Sequence, residues 1–463
     1  MKKVFVFCIG GTGIRVMKSI TMLMASGMST NGYTVVPVIL DPHLDLDEKK
    51  NLHTLLENYQ GIYKRTTDGG SLNHLDGFFN SEIRTIDQLN DQQNDTHHAS
   101  GTSESFRSYI SLADLSSNDI NNYFVHTLFS TKNLDNSIKV GFKGNPNVGT
   151  VVLGEIIAGA DWFKAFKQHC EKGDRIFIIS SIFGGTGASG FPLLEKKIKD
   201  QDSLPAVKDA IMGAVTVMPY YGLKDPSTSG SDIDSANFYT KTKAALAYYE
   251  DTILSNYLYY VGETSMLQVY ENDEKKQDDK AHFVELVAAS ALFDFLTREK
   301  PETQQYLTRC VVDAKSSMDL SSLGEGYKDL VKSVADYKLL SALIDVLPNE
   351  EFFPLIKNRG FDDNFYKDAS FQALKGFTSL YDKWYYELST NKRAFAPLKT
   401  DNLNKMEGWV KSISLDAKDD SYYLLKMIQA SNSNKDKDHE NKFRFFLQFA
   451  YEAINGYTKK IMK

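Results

Sequence analysis

Residues 175–192 read RIFIISSIFGGTGASGFP, an apolar run that leads through a glycine-rich loop into a predicted helix over residues 191–198. The apolar run predicts a buried strand. Glycine has no Cβ, so several backbone N–H groups in the loop can converge on one point. At a helix N-terminus these donors add to the positive end of the helix dipole, which suits a phosphate group, and two hydroxyl side chains lie among them. The predicted phosphate-binding residues are Gly184, Gly185, Thr186, Gly187, Ala188 and Ser189.

The length and composition are typical of a folded globular protein. The chain has 463 residues, which is too long for one compact core, so two or more structural units are expected. Its apolar content of 42% and aromatic content of 12% argue against a disordered chain. The net charge of −7 argues against non-specific binding to nucleic acid.

The cysteines and the first residues bear on the cellular compartment. Cys8, Cys170 and Cys310 are far apart and form no CxxC pattern, so neither a disulfide framework nor a zinc site is expected. The first apolar run reaches a glycine too soon for a signal peptide, and no apolar run is long enough to span a bilayer. We expect a cytoplasmic protein without a membrane span.

A second unit of strand, glycine bend and helix lies at the N-terminus. Residues 4–9, VFVFCI, predict a strand that is covered on both faces. A predicted helix over residues 14–24 and a second strand over 35–40 follow, and Asp41 closes that strand. Two apolar runs around a helix favour a parallel sheet whose loops meet at its carboxyl edge. The residues of this glycine bend are Gly10, Gly11, Thr12 and Gly13.

The same unit also suggests an NAD-dependent oxidoreductase. Gly11-x-Gly13 after the first strand, with Asp41 at the end of the second, is similar to a dinucleotide-binding fingerprint. The third glycine of that fingerprint would fall at Val16, whose side chain prevents the close approach of helix and strand. Asp41 also lies farther from the glycines than the fingerprint requires. The oxidoreductase is therefore the less favoured alternative.

The rest of the chain predicts further strands and long helices. Residues 210–218 and 257–261 predict buried strands, and residues 280–297 predict a strongly apolar helix between two layers. Residues 60–135 are expected to form an insertion that contains a mobile polar loop. From residue 327 onward the apolar spacing is mostly helical.

Three loops, taken in order, resemble those of the tubulin/FtsZ superfamily of GTP-binding proteins. FGGTGASG at residues 183–190 is similar to that family's GGGTG(S/T)G signature after its fourth strand, and the bend at residues 10–13 is similar to its first loop. Asn145, Pro146 and Gly149 match its asparagine–proline–x–x–glycine loop. The resemblance implies a Rossmann-like parallel sheet that binds GTP or GDP with Mg²⁺ between these three loops.

The resemblance also implies a domain organisation and a site for the base. It implies a nucleotide-binding domain over residues 1–275, a central linking helix over 276–300, and a C-terminal domain over 301–463. The C-terminal part departs from the family because its pattern is mainly helical. The base would lie near the start of the central helix. The candidate base-binding residues are Asp279, His282 and Phe283; the alternatives are a hydrogen-bonded structural role for His282 and a plain core position for Phe283.

Two aspartates are the candidates for metal binding and hydrolysis. Asp41 is expected to help hold Mg²⁺ through water, since this ion takes few carboxylates and keeps its hydration. In the family, an asparagine and two aspartates of one subunit act on the nucleotide of the next. The nearest stretch here, residues 317–322, has serines at the other positions and retains Asp319. Asp319 is therefore the candidate catalytic residue. From a neighbouring copy of the chain, its carboxylate could orient the water that attacks the nucleotide.

These observations leave three hypotheses about function. The leading one is a self-assembling GTPase whose slow hydrolysis depends on assembly into filaments or oligomers. The second is a GTP-binding interaction module with little hydrolysis, whose helical C-terminal region binds a protein partner, and the altered catalytic loop favours it. The third is the NAD-dependent oxidoreductase, which the second glycine loop disfavours.

Overall fold

The computed structural model describes residues 2–43, 47–67, 77–90, 104–138, 142, 144–223, 237–263, 268–270, 280–311, 317–318, 328–348, 361–395 and 441–461. The candidates Asp279 and Asp319 lie outside the described residues, as does the centre of the predicted polar loop.

Six parallel strands form the central sheet. They are β1 (Lys3–Ile9), β2 (Thr34–Leu40), β3 (Arg175–Ser181), β4 (Ile211–Val217), β6 (Tyr257–Glu263) and β8 (Gln305–Val311), in the order β2-β1-β3-β4-β6-β8. Ile9 pairs with Leu40 and Cys8 with Ile179, so β1, β2 and β3 end at nearly the same level. Two short pairs complete the strands: β5 (Tyr221–Leu223) with β7 (Gln268–Tyr270), and β9 (Ser317–Met318) with β10 (Ala394–Phe395).

Helices connect the strands and cover the sheet. In the first half of the chain they are α1 (Gly10–Ala25), α2 (Asp47–Thr67), α3 (Ile86–Leu89), α4 (Phe106–Tyr109), α5 (Ile120–Leu128), α6 (Thr131–Asp135), α7 (Pro146–Gly159), α8 (Asp161–His169), α9 (Gly185–Ile198) and α10 (Pro205–Lys208). A 3-10 turn covers Leu112–Asp114. The later helices are α11 (Phe238–Thr252), α12 (Phe283–Thr297), α13 (Lys328–Val346), α14 (Asp363–Lys367), α15 (Ala369–Thr390) and α16 (Lys442–Ile461).

The predicted α/β class and the predicted strands are confirmed. Every residue of β2 and β3 is buried, and so is all of β1 after Lys3. Continuous burial explains why these strands are apolar throughout instead of alternating, as expected when helices cover both faces of a parallel sheet.

The glycine bends form the first turns of helices. We predicted helix starts near residues 14 and 191, but α1 begins at Gly10 and α9 at Gly185. Glycine lowers intrinsic helix propensity, so the sequence pattern favours loops at both places. Packing of both helices against β1 and β3 outweighs that preference.

After α12 the chain returns to the same sheet. α12 packs on β4, β6 and α1, and every residue from Phe283 to Ala289 is buried. β8 then pairs along β6, with Tyr257 opposite Gln305 and Glu263 opposite Val311. β8, which contains Cys310, is the sixth parallel strand of the sheet.

The C-terminal helices pack against the N-terminal part of the chain. The ring of Phe377 on α15 contacts those of Tyr59, Phe79 and Tyr337, with centroids 6.4, 5.1 and 6.2 Å away. These rings come from α2, from the segment before α3, and from α13, so one aromatic cluster joins α15 to three other parts of the sequence. None of the described helices combines the length and apolar character needed to cross a bilayer.

Candidate functional site

Three helices begin at the carboxyl edge of the sheet, each at a predicted glycine-containing bend. α1 starts at Gly10 directly after β1, α9 starts at Gly185 after β3, and α7 starts at Pro146 after Asn145. They contain 16, 14 and 14 residues, so each is long enough to carry a substantial helix dipole.

The third bend touches each of the other two. A Cβ placed on Gly10 would lie 3.3 Å from the Cβ of Thr186, so the first and third bends are in contact. A Cβ on Gly185 would lie 3.0 Å from the backbone N of Gly144 and 3.1 Å from that of Asn145. The structure therefore brings together three bends that are far apart along the chain.

Gly10 and Gly149 are positions in these bends that require glycine. Gly10 has a φ of 71°, a backbone conformation that residues with side chains rarely adopt. A Cβ on Gly149 would collide with the hydroxyl oxygen of Ser189, so the close approach of α7 and α9 depends on the missing side chain.

The first turns of these helices carry backbone N–H groups that have no acceptor within their own helix. In α9 the helical bonds begin with the N–H of Ala188, which donates to the carbonyl of Gly184 at 3.2 Å. The N-cap residues Ile9, Asn145 and Gly184 make no side-chain hydrogen bond to their helices. Three uncapped N-termini that meet at one edge are suited to an anionic ligand. In α1 and α9, the backbone N–H groups that precede the first helical hydrogen bond belong to Gly10, Gly11, Thr12, Gly185, Thr186 and Gly187.

The hydroxyl side chains at the bends differ in orientation. Thr186 is half-buried, whereas Ser189 is only 2% exposed. The Ser189 hydroxyl donates to the carbonyl of Gly185 at 2.7 Å. A serine bonded back to its own helix has used its only donor. In this arrangement Ser189 does not add the donor that we expected, and Thr186 is the better candidate.

Asp41 lies at the same edge, next to the first bend. Leu40 pairs with Ile9, so Asp41 follows β2 where Gly10 follows β1. Its carboxylate accepts a 2.8 Å hydrogen bond from the N–H of His43, and burial raises its pKa. A single carboxylate next to a phosphate site fits an Mg²⁺ ion that keeps most of its water and binds the phosphates directly. Among the described residues, no group of three acidic, histidine or cysteine side chains forms a metal site.

A buried ion cluster stands beside the first turn of α1. The Arg15 guanidinium lies 2.8 Å from the carboxylate of Glu285 and 3.3 Å from that of Glu48. It also donates to the Tyr220 hydroxyl at 3.1 Å, which in turn donates to Glu285 at 2.6 Å. We call Arg15, Glu48, Tyr220 and Glu285 the Arg15 cluster. It ties α1 to α2, to the segment after β4, and to the start of α12.

Further buried polar groups extend this cluster to the C-terminal part. His282 Nε2 lies 3.7 Å from the carboxylate of Glu263, which accepts a 2.7 Å hydrogen bond from Arg393. All three side chains are fully buried. The backbone N–H of His282 donates to the carboxylate of Glu285 at 3.0 Å, so polar contacts run from α1 to the end of β6 and to the residue before β10.

His282 and Phe283, our candidates for binding the base, lie in the interior. Phe283 is 1% exposed and stacks on Phe395 with ring centroids 5.1 Å apart. His282 is the N-cap of α12, where its Nδ1 accepts a 3.1 Å hydrogen bond from the N–H of Val284. Burial and the nearby cations Arg15 and Arg393 lower the pKa of His282 to about 3, so the ring is neutral. Both side chains stabilise the start of α12 and present no open face to a ligand, which corrects our expectation.

A cavity of about 170 Å³ opens beside α1 and is lined by residues of that helix from Ile14 to Met22. Its walls come from α1, α2, α15 and the start of α12. Arg15 and Lys18 line the cavity. By helical spacing they share one face of α1 with the half-buried Gly11, so the cavity lies on the side of the helix that carries Gly11. The lining residues are Ile14, Arg15, Lys18, Met22, Glu48, Asn51, Leu52, Thr54, Leu55, Ala281, Glu285, Leu380, Lys383 and Glu387.

Comparisons with known proteins give little beyond this geometry. No protein-family model matches the chain, and no curated protein sequence matches it. Among solved structures, CetZ from Methanosaeta thermophila strain DSM 6194 is similar, with 12% sequence identity and a TM-score of 0.33. That similarity covers 66% of this chain, and the chain spans 57% of the length of CetZ.

The sequence did not reveal most of the buried polar residues near the bends. Tyr220 follows β4, Glu263 ends β6 and Arg393 precedes β10, and no sequence spacing links them to Arg15. Glu285 is the exception. It could have been recognised from its spacing, because it lies three residues after His282 and completes a capping box there.

Proposed function

We propose that the chain binds GTP together with Mg²⁺ at the edge where α1, α7 and α9 begin. The observation that carries this proposal is the contact between three uncapped helix N-termini from distant parts of the sequence. One such terminus suits many anions, but three that meet suit a ligand with several linked phosphate groups. Bound Mg²⁺ would neutralise part of the phosphate charge, with Asp41 positioning its water ligands.

Two further observations favour a guanine nucleotide over a dinucleotide. The three bends carry the loop patterns of the tubulin/FtsZ superfamily in the same order along the chain. Val16, at the position of the third fingerprint glycine, is completely buried, so its side chain occupies the space that a dinucleotide fold leaves for close packing. The oxidoreductase hypothesis is not supported.

The base is proposed to lie in the cavity beside α1. The cavity adjoins the helix face that carries Gly11, and its walls combine apolar side chains with the polar groups of Asn51 and Glu48. A mostly apolar pocket with a few polar groups is typical of small-molecule sites. This proposal replaces His282 and Phe283 as base contacts.

The proposed GTP-binding function can take two forms. One is self-assembly coupled to hydrolysis, and the other is partner binding controlled by the nucleotide. In the first form, Asp319 of one copy acts on the nucleotide of another. In the second form, occupancy of the site alters the C-terminal helices. The ion pair between Lys18 on α1 and Glu387 on α15, 3.1 Å long, favours a link of the second kind.

The deciding experiment measures GTP binding, the GTPase rate per subunit against protein concentration, and sedimentation of the same samples. A rate that rises with concentration, together with pelleting, supports assembly-coupled hydrolysis. Tight GTP binding with a flat, very low rate supports the interaction module. Absence of GTP binding by the folded chain contradicts the proposed function.

A variant and its matched control test the location of the site. In Gly185→Val the new side chain meets the backbone of Gly144 and Asn145, so we expect GTP binding to be lost. Gly159→Val places the same side chain at the end of α7, where nothing lies within 4 Å of the Cβ position, and should bind GTP like the wild type. Retained affinity in Gly185→Val would refute the assignment.

A further inference from the structure

Helix α5 (Ile120–Leu128) turns its apolar side chains toward solvent. None of its nine residues, all of which the structure describes, is buried. Ile120 is 81% exposed, Tyr123 65%, Phe124 62% and Leu128 51%. Exposed apolar side chains that cluster on one element mark an interaction surface more often than isolated ones do.

The exposed side chains form one continuous face of the helix. Ile120, Phe124 and Leu128 are spaced four residues apart, so they lie one above another along one side of α5. Val125, about 100° around the helix from Phe124, is half-buried and packs against the core. The helix is thus attached to the body through its inner side, and its outer apolar ridge is presented for contact.

We propose that this ridge binds the same ridge of a second copy of the chain, with the two helices antiparallel about a twofold axis near Phe124. The ridge is symmetric in spacing, since Ile120 precedes Phe124 by four residues and Leu128 follows it by four. In an antiparallel pair Ile120 of one copy therefore meets Leu128 of the other. Such self-complementary contacts are the ones that twofold dimers use, and ridges of this spacing pack into each other's grooves.

The charge pattern also favours a second copy as the occupant. The chain carries a net charge of −7, yet α5, with the sequence INNYFVHTL, contains no Asp, Glu, Lys or Arg. Two copies can approach along this helix without placing like charges opposite each other. The absence of basic residues makes an anionic membrane surface a poorer partner.

The size of the ridge sets the strength of the contact. A helix of nine residues is only about 13 Å long. Two such ridges bury less than the roughly 1,200 Å² of a standard stable interface. The dimer is therefore weak, and its population rises steeply with protein concentration.

Sedimentation velocity of the full chain without nucleotide, from about 1 to 200 μM, tests the dimer. We expect monomer at the low end and a growing dimer fraction at the high end. Phe124→Ser, which removes a ring from both sides of the axis, should raise the dimer dissociation constant by about tenfold or more. Tyr248→Ser removes an aromatic residue of 57% exposure from α11 and should leave the dimer unchanged.

Disulfide cross-linking with a copper–phenanthroline oxidant tests the antiparallel geometry. All the chains used in this experiment also carry Cys310→Ser. Chains carrying Ile120→Cys should cross-link to chains carrying Leu128→Cys more readily than to their own kind. Equal self-cross-linking would overturn the antiparallel arrangement. A wild type that stays monomeric throughout, or a Phe124→Ser variant that associates like the wild type, would overturn the dimer.

Discussion

Arg393 and Glu263 form an ion pair with no solvent exposure on either side chain, with the Arg393 Nε 2.7 Å from the carboxylate. The pair joins the end of β6 to the chain that follows α15. A buried charge is costly unless its partner is in place, so the two side chains depend on each other. The pair therefore anchors the chain after α15 to a strand of the central sheet.

Removing one member of this pair should destabilise the whole fold. Arg393→Met leaves the Glu263 carboxylate buried beside His282, and we expect a loss of about 3–5 kcal/mol in the free energy of unfolding. Urea denaturation followed by circular dichroism measures it. Lys164→Ala, which breaks the exposed pair with Asp161, is the control and should keep the wild-type midpoint. Similar midpoints for the two variants would contradict this account.

The neutral, buried His282 predicts a specific loss of stability in acid. Its pKa is about 3 in the folded protein, against an ordinary 6.5, because of burial and the cations Arg15 and Arg393. As the pH falls below 6.5, the unfolded chain binds a proton that the folded chain does not, so stability drops.

The variant His282→Asn isolates this effect, since asparagine can still accept from the N–H of Val284 but does not titrate. Between pH 6.5 and about pH 4, the free energy of unfolding of the wild type should fall faster than that of the variant, by up to about 1.4 kcal/mol per pH unit. Parallel curves from urea titrations across this range would show that His282 is not the responsible group.

The positive φ of Gly10 makes this position a sensitive test of the first bend. In Gly10→Ala the backbone must move, and the new Cβ presses on Thr186, so we expect at least about a tenfold loss of GTP affinity in calorimetric titrations. Gly376→Ala, on α15 with nothing within 4 Å of its Cβ position, is the matched control. Unchanged affinity in Gly10→Ala would remove the first bend from the site.

Filling the cavity separates binding of the base from binding of the phosphates. Thr54 lines the cavity and is exposed, so Thr54→Trp narrows the space with little disturbance of the core. We expect weaker GTP binding but unchanged binding of inorganic tripolyphosphate, and Thr54→Ser should behave like the wild type. Loss of both ligands, or of neither, would place the base elsewhere.

The aromatic cluster around Phe377 predicts that the C-terminal helices unfold together with the N-terminal part. Phe377→Ala removes contacts with Tyr59, Phe79 and Tyr337 at once, and we expect a cost of about 3–5 kcal/mol. Differential scanning calorimetry should show one transition at a lower temperature. A separate early transition, with the rest unfolding as in the wild type, would show that the C-terminal helices form an independent unit.

Several parts of the fold could be predicted because local sequence and tertiary environment agree. The apolar runs of β1, β2 and β3 are strands since both faces of the sheet are covered. β8 could not be assigned to the sheet from its sequence, QYLTRCV, because polar and apolar residues mix there, as they can in an outer strand. The starts of α1 and α9 were misplaced because tertiary contacts, which the sequence does not display, hold glycines in helical turns.

For the candidate site, the sequence indicated where the glycine bends would lie but not how the surrounding side chains would pack. The glycine positions indicate which bends could serve a phosphate, and their spacing after strands indicates the sheet edge. The sequence could not decide between base binding and a buried structural role for His282 and Phe283, because their burial depends on Glu263, Arg393 and Phe395, which approach from other elements. Hydrogen-bond capacity in a side chain does not reveal whether a neighbouring protein group already satisfies it.

All six strands of the sheet run the same way, and this gives the molecule an electrical polarity. Helices that return between parallel strands start at one rim and finish at the other, so their partial charges add instead of cancelling. An acidic protein of net charge −7 can thus still attract an anion from solution toward one rim. Raising the ionic strength should slow the arrival of such a ligand far less than it would for a site built from lysines, because peptide dipoles act only at short range.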